Sequence, residues 1–211
     1  MTKATSKGRF YIVAAPSGAG KTSLVKALIG QHPNLAVAVS HTTRPMRPGE
    51  TDGVNYHFVT REQFMAMHGH GEFLESATVF GNLYGTSYGA VDTITAAGRD
   101  VILEIDWQGA RQIRALRPEV STIFILPPSL ESLRSRLLGR DQDDASTIET
   151  RMAEAINEMS HFDEFDYLII NDEFGLALTQ MYDIIEGRGQ AFTLEVQQTA
   201  HSDLIRSLTG N

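Results

Sequence analysis

In the string APSGAGKTS, residues 15–23, Lys21 and Thr22 follow two closely spaced glycines, Gly18 and Gly20. Glycine lets consecutive backbone amides face one point with no Cβ in the way, and a helix opening there adds positive potential. A lysine at this spacing reaches the terminal phosphates of a nucleotide, and a hydroxyl beside it can ligate Mg²⁺. The strict phosphate-loop pattern has glycine where this chain has Ala15. A glycine-rich turn without a ligand would give a similar string, but the register of strand, Gly-x-Gly-Lys-Thr and helix favours a nucleoside triphosphate site. Its residues are Ala15, Pro16, Ser17, Gly18, Ala19, Gly20, Lys21, Thr22 and Ser23, with Thr22 as the metal ligand.

A second stretch, SHTTRPMRPGE (residues 40–50), carries Arg44 and Arg47 with Pro45 between them. Proline disfavours helix at Arg44 and stiffens the loop, so the pair can be held ready for a ligand. Two guanidinium forks suit one doubly charged phosphate. On this stretch alone, pairing of the arginines with Glu50 or Asp52 is an equal reading. VILEID (residues 101–106) is an apolar run ending in carboxylates, with Asp106 at its carboxyl end and Glu104 beside it by the period of two. Such an acid can serve a phosphate site or cap a neighbouring helix. MHGHGE (residues 67–72) alternates histidine and glycine without an evident third ligand and reads as a loop. Trp107 and the methionines read as packing residues.

The elements that must position these groups follow from short apolar runs at 10–15, 35–40, 101–106, 122–126 and 167–171, separated by helical patterns. Runs buried on both faces and alternating with helices indicate a parallel sheet covered on each side. Helices are expected at Thr22 to Ile29, Ser87 to Ala97, Gln108 to Leu116, Ser129 to Leu138, Ala145 to His161 and Gly175 to Glu186. Ser129 is the expected N-cap of its helix, and Thr60 with Gln63 forms a capping box in a segment of mixed texture. The fold class is α/β: a P-loop NTPase-type parallel sheet flanked by helices, with a small inserted mixed lobe and a mobile polar loop between two helices at 139–146, GRDQDDAS. The ends, 1–8 and 209–211, read as frayed.

Composition bounds the partners. A net charge of −8 works against nonspecific attraction to nucleic acid or anionic membrane, so any anion site is local. Without cysteine, chemistry rests on oxygen, nitrogen and a hard metal. The first apolar run is too short for a signal peptide or membrane span, and a cytoplasmic location is the expectation.

Taken together, APSGAGKTS, SHTTRPMRPGE, G-V-N-Y-H-F, EFLESATVFGNLYGTS, LEIDWQGA, IFILPPS and IINDE resemble the guanylate kinases of the bacterial type from about residue 8 to 190. The resemblance implies one guanylate kinase-like domain over 1–211: a core at about 8–40 and 89–190, an acceptor lobe at about 41–88, a lid at about 136–151 and an extension at about 191–211. It implies that Arg44, Arg47, Tyr56 and Tyr84 hold the phosphate of GMP, with Glu50 in the same set. Glu75, Ser40 and Thr86 would read guanine, because a carboxylate accepts from N1–H and the exocyclic amine while hydroxyls donate to O6. Asp106 matches an acid beside the acceptor. Arg136, Arg140 and Arg151 would lie over the donor phosphates, and Asn171 and Asp172 near the donor adenine. The family has Gly-Arg-Gly in the lid where this chain has Asp141 in place of the second glycine. ATP and GMP or dGMP are the implied substrates, with Mg²⁺ as cofactor and closure of lobe and lid as the motion. Association into a homo-oligomer is left open. Two other readings stand beside it: a kinase of a ribose bisphosphate, against which Ser40, Glu75 and Thr86 argue, and a non-catalytic module that binds phosphorylated protein partners, against which Lys21, Thr22 and Asp106 argue.

Overall fold

The computed structural model describes residues 8–138 and 145–210. The chain opens with β1 (Phe10–Ala14), α1 (Lys21–Gln31) and β2 (Leu35–Val37), then β3 (His41–Thr42), β4 (His57–Phe58) and α2 (Arg61–Gly69). It continues through β5 (Phe73–Val79), β6 (Asn82–Ser87), α3 (Tyr88–Ala96), β7 (Asp100–Glu104) and α4 (Trp107–Leu116). Then come β8 (Ser121–Leu126), α5 (Leu130–Leu138), α6 (Ala145–Met159), β9 (Tyr167–Ile170), α7 (Phe174–Ile185), α8 (Leu194–Ala200) and α9 (Ser202–Thr209). One sheet has the strand order β2-β7-β1-β8-β9, with parallel pairing of β2 to β7 and of β8 to β9. A second sheet has the order β4-β3-β6-β5 and mixes parallel and antiparallel pairs.

The chain divides into two compact units, one made of the chain up to Ile12 with Pro33–Val120, the other of Val13–His32 with Ser121 onward. In the first unit, β7 is buried along Asp100–Leu103, and Leu35, Val101, Ile102, Leu103 and Ile113 form its core with no exposed surface. The buried Asp100 is consistent with this because Arg9 meets it from both backbone and side chain, its Nη2 lying 2.9 Å from Oδ2. In the second unit β8 is buried from Thr122 to Leu126, as expected of a strand covered on both faces. Phe124 meets the Phe165 ring edge-on at 4.9 Å, and Leu24, Leu28, Leu133 and Met181 close around the strands.

Local signals account for most boundaries. Thr60 and Gln63 form the capping box at the start of α2. The Ser129 hydroxyl accepts the Ser132 amide at 3.0 Å and the Ser87 hydroxyl accepts the Ala90 amide at 3.2 Å, so both serines are caps. The second strand is shorter than its apolar run: β2 stops at Val37, although the Ala38 amide still donates to Ile102. Asp106 lies outside the strand, which ends at Glu104. Of the two ends expected to fray, residues 1–7 and 211 lie outside the described residues, whereas Gly8, Thr209 and Gly210 are placed. Gly8 is buried, where a Cβ would meet the Arg99 carbonyl oxygen at 2.0 Å, and α9 extends to Thr209 with Gly210 closing it in the left-handed region.

In the smaller sheet, register selects the chemistry. Glu75 stands opposite Thr86 and Ala77 opposite Tyr84, with an irregularity between Phe73 and Glu75. His41 faces Gly85 and Thr42 faces Tyr84 across β3. Phe64 and Phe73 stack at 4.4 Å, and a Cβ on Gly85 would come within 2.9 Å of the Phe73 ring. Gly85 therefore leaves room for the aromatic stack on one face, while Tyr84 and Thr86 point to the other by the period of two.

Candidate functional site

The acceptor residues expected from the sequence lie together in the first unit. Arg44 is nearly enclosed, with a side-chain exposure of 10%, and its guanidinium forks onto Glu50: Nη2 to Oε1 at 2.7 Å and Nη1 to Oε2 at 3.0 Å. Glu50 Oε2 also accepts the Arg47 amide at 2.7 Å, so the loop is tied to itself around the carboxylate. Burial acts against both charges, but the mutual hydrogen bond prevails, raising the Arg44 pKa and holding Glu50 below the ordinary carboxylate range. The pairing of an arginine with Glu50 is thus present, and it keeps a charged fork in a defined place.

Aromatic rings fix the other side of that fork. Arg44 Cζ lies 5.5 Å from the Tyr56 ring centre and 5.6 Å from that of Phe58. Tyr56 meets Tyr84 edge-on at 5.8 Å. Burial, reinforced by the charge of Glu104, pushes the Tyr56 phenol up to about 12, so it stays a proton donor at any working pH. The same interaction places Glu104 within electrostatic reach of this cluster.

The three residues that the resemblance assigns to guanine, Ser40, Glu75 and Thr86, lie together as well. Glu75 is 4% exposed, and its Oε1 accepts from the Thr86 amide at 2.8 Å and the Thr86 hydroxyl at 2.6 Å. Ser40 Oγ lies 2.9 Å from Thr86 Oγ1. The other carboxylate oxygen, Oε2, lies where a Cβ on Gly109 would come within 2.5 Å, so the bare glycine in the first turn of α4 makes room for it. Gln112, which sequence reasoning passed over, clamps β5 to α4 by donating Nε2 to the Ser76 carbonyl at 2.8 Å and accepting the Ser76 amide at 3.1 Å. A glutamine reaching a strand edge from a helix leaves no local signal.

Asp106 is the N-cap of α4: Oδ1 accepts the Gly109 amide at 2.9 Å, and Oδ2 accepts Gln108 Nε2 at 3.1 Å. The capping role foreseen for an acid at this point is the one its contacts display.

The residues expected from the sequence to hold the donor, as far as they are described, lie in the second unit. Gly18 and Gly20 take φ of 91° and 95°, the left-handed region that glycine enters without strain. Ala15 has no such φ, which explains why an alanine serves at the first position of the loop. Helix α1 begins at Lys21 with no acid in its first turn, leaving its N-terminal potential open to an anion. The hydroxyl-bearing Thr22 and Ser23 are exposed there, and Lys21 is half-buried.

Around the loop, Leu133 and Leu137 of α5 press on Gly18, and the Asn171 amide donates to the Ala19 carbonyl at 2.6 Å. Asn171 is 5% exposed, so it braces the loop from the end of β9, whereas its neighbour Asp172 is exposed. Arg136 donates to the Asn171 carbonyl at 3.1 Å, which holds that arginine against the same corner. Arg151 is half-buried on α6. Arg140 and Asp141 lie outside the described residues.

For a cation, the described residues contain no cluster of three or more histidine, aspartate or glutamate side chains. The MHGHGE stretch is the end of α2 and a turn, with an exposed His70 3.5 Å from Glu72. Thr22, the metal ligand expected from the sequence, carries its hydroxyl at the exposed head of α1.

A parallel sheet with a glycine-rich loop at the head of α1, together with a separate cluster in which Arg44 pairs with Glu50 among tyrosines, is the arrangement expected of the nucleoside monophosphate kinase class of P-loop enzymes. The Guanylate kinase family model matches residues 7–188. The chain is 55% identical over 205 residues to the guanylate kinase of Pseudomonas fluorescens (strain Pf0-1), covering 97% of this chain and 98% of that protein. It is 57% identical over 204 residues to the guanylate kinase of Saccharophagus degradans, covering 97% and 98%. The crystal structure of guanylate kinase from Anaplasma phagocytophilum superposes with a TM-score of 0.71 at 30% identity, covering 92% of this chain and 95% of that one. This chain belongs to the guanylate kinase family.

Proposed function

We propose that the chain transfers the γ-phosphoryl group of ATP to GMP, and to dGMP, giving ADP and GDP, in cytoplasmic purine nucleotide metabolism. The observation that carries this reading is the hydrogen-bonded set of Ser40, Thr86 and the 4%-exposed Glu75. A carboxylate buried to this degree recognises a ligand with two adjacent donors, as guanine offers, and penalises adenine, whose N1 would set a lone pair against the carboxylate in place of a donor.

Arg44 and Arg47 take the GMP phosphate, with the Tyr56 and Tyr84 hydroxyls donating to it. Glu50 keeps the Arg44 fork charged and oriented beforehand, so little conformational entropy is lost on binding. On the donor side, the amides of residues 18–22 and the Lys21 ammonium hold the β and γ phosphates. Mg²⁺ would be held by Thr22 and would supply further neutralisation of phosphate charge. Arg136 and Arg151 stabilise negative charge on the migrating group, a role the resemblance extends to Arg140. Asp106, as cap, orients the start of α4 beneath Glu75. Catalysis is then mainly alignment and charge neutralisation, without need of a strong base.

The test follows ADP formation by purified protein with Mg²⁺ and ATP, offering GMP, dGMP, AMP, UMP or a ribose bisphosphate. Turnover confined to GMP and dGMP is expected. Turnover only with the sugar phosphate would refute the base-reading set, and GMP binding without turnover would refute the assignment as a kinase.

A further inference from the structure

Glutamate 158 occupies a position that local rules disfavour. It lies in the last turn of α6, a turn without a basic residue, where the helix dipole already concentrates negative charge. One turn earlier on the same face stands Glu154, a like charge at i, i+4. Burial raises the Glu154 pKa, with the Arg151 charge acting the other way. A carboxylate persists at 158 although helix and neighbour both oppose it, and the contact it makes supplies a reason. Its Oε2 accepts the backbone amide of Ser17 at 3.1 Å, across 141 residues of sequence.

Ser17 is inside the phosphate loop, immediately before Gly18 with its φ of 91°. The loop is therefore held from separate elements of the second unit. Leu133 and Leu137 of α5 press on Gly18, Asn171 at the end of β9 takes the Ala19 carbonyl, and Glu158 of α6 takes the Ser17 amide. Of these elements, α6 alone also carries Arg151, seven residues before Glu158 and so on the same helical face two turns away.

We infer that Glu158 is a positioning residue of the donor site, whose carboxylate fastens α6, the helix bearing Arg151, to the phosphate loop through the Ser17 amide. The contact does two things. It fixes the entry of a loop whose glycines would otherwise sample many conformations, and it sets the depth at which the Arg151 end of α6 meets donor phosphates. A loop and helix docked before ATP arrives lose less freedom on binding, so the effect belongs in ATP affinity rather than in GMP affinity. The inference rests on the reading of residues 15–23 as the donor loop.

The experiment compares Glu158→Ala, Glu158→Gln and Lys21→Ala with the parent protein, measuring KM for ATP, KM for GMP, kcat and thermal unfolding. Glutamine keeps a side-chain oxygen that can accept the Ser17 amide; alanine does not. Glu158→Ala is expected to raise KM for ATP about tenfold, the scale of one hydrogen bond to a charged group, with KM for GMP within about twofold. Glu158→Gln is expected to recover ATP affinity to within about threefold, because the hydrogen bond survives without the charge. An unchanged KM for ATP in Glu158→Ala would overturn the inference. So would a glutamine variant as impaired as the alanine one, or a parallel rise in both KM values with a lowered unfolding temperature, which marks general damage. Lys21→Ala separates the premise from the inference. Full turnover in that variant would refute the donor-loop reading itself, whereas loss of turnover there with an unaffected Glu158→Ala would sink Glu158 alone.

Discussion

Replacing Glu75 by glutamine changes one atom and should alter the choice of base. In the parent, Oε1 accepts from both the Thr86 amide and the Thr86 hydroxyl, at 2.8 and 2.6 Å. The amide N–H can only donate, so the variant's carbonyl oxygen must take that side and its NH₂ must take the place of Oε2. That NH₂ then meets the N1–H and exocyclic amine of guanine, donor against donor. Two hydrogen bonds to a charged acceptor are lost, each about 1.5–3 kcal/mol, for about 3–6 kcal/mol in all. This corresponds to a fall in kcat/KM for GMP of about 10² to 10⁴. Adenine presents an acceptor at N1, so kcat/KM for AMP should hold or rise. KM for ATP should stay within about twofold, since the donor set is independent of this contact. Initial rates with GMP and AMP as acceptors, measured by coupled ADP release, give the ratio. A GMP preference retained within tenfold would refute the role of Glu75, whatever the absolute rates.

Other consequences are open to measurement. The Glu50 carboxyl is held below its ordinary value by Arg44 and the Arg47 amide against the effect of burial, so the stability it contributes is present above the unfolded value of 4.5 and lost as pH falls through the lower folded value. The unfolding temperature of Glu50→Gln should therefore lie below the parent's at pH 7 and converge with it toward pH 3; a constant gap would show that ionisation is not the source. Gly20→Ala forces a residue at φ 95° and brings a Cβ within 2.4 Å of the Asn171 amide nitrogen. With strain of about 1–3 kcal/mol, its unfolding temperature should drop by about 2–10 °C and ATP binding should weaken; calorimetry showing no change would contradict the brace. Lys21→Ala should abolish turnover while GMP affinity, measured by titration calorimetry, stays within several-fold, because the acceptor residues are all in the other unit.

What could be read from the sequence divides by how the information is distributed along the chain. The phosphate loop is a run of consecutive residues whose backbone angles demand glycine at 18 and 20, so its string carries its own geometry. The buried strands and the Thr60 to Gln63 capping box are equally local. The Arg44 to Glu50 pair spans six residues and was legible as an alternative to phosphate binding; the structure contains it, and it also organises the fork that phosphate requires. Glu75 is different. Its partners are Thr86, 11 residues on, and, through that hydroxyl, Ser40, which lies 46 residues before Thr86, and nothing nearby distinguishes it from an exposed strand carboxylate. Family resemblance named it, while the structure shows that it is buried and stands opposite Thr86. Asp106 was placed at the end of a strand because the apolar run continues through Ile105; the chain leaves the sheet after Glu104, and the acid caps α4.

Glu75, Asp106 and Gly109 form one mechanical unit once that cap is seen. Asp106 accepts the Gly109 amide, which fixes the first turn of α4, and that turn presents the bare Cα against which Glu75 Oε2 rests. Gln112, one turn further along, holds β5 to the same helix at Ser76, the residue after Glu75. The Glu75 carboxylate is thus located by α4 at two points, and α4 is capped by the acid that the sequence marked for chemistry. A positional error at Asp106 would be transmitted to Glu75 through the Gly109 amide and the close approach of Glu75 to Gly109. Its loss would then impair guanine selection as well as any direct role at the phosphate.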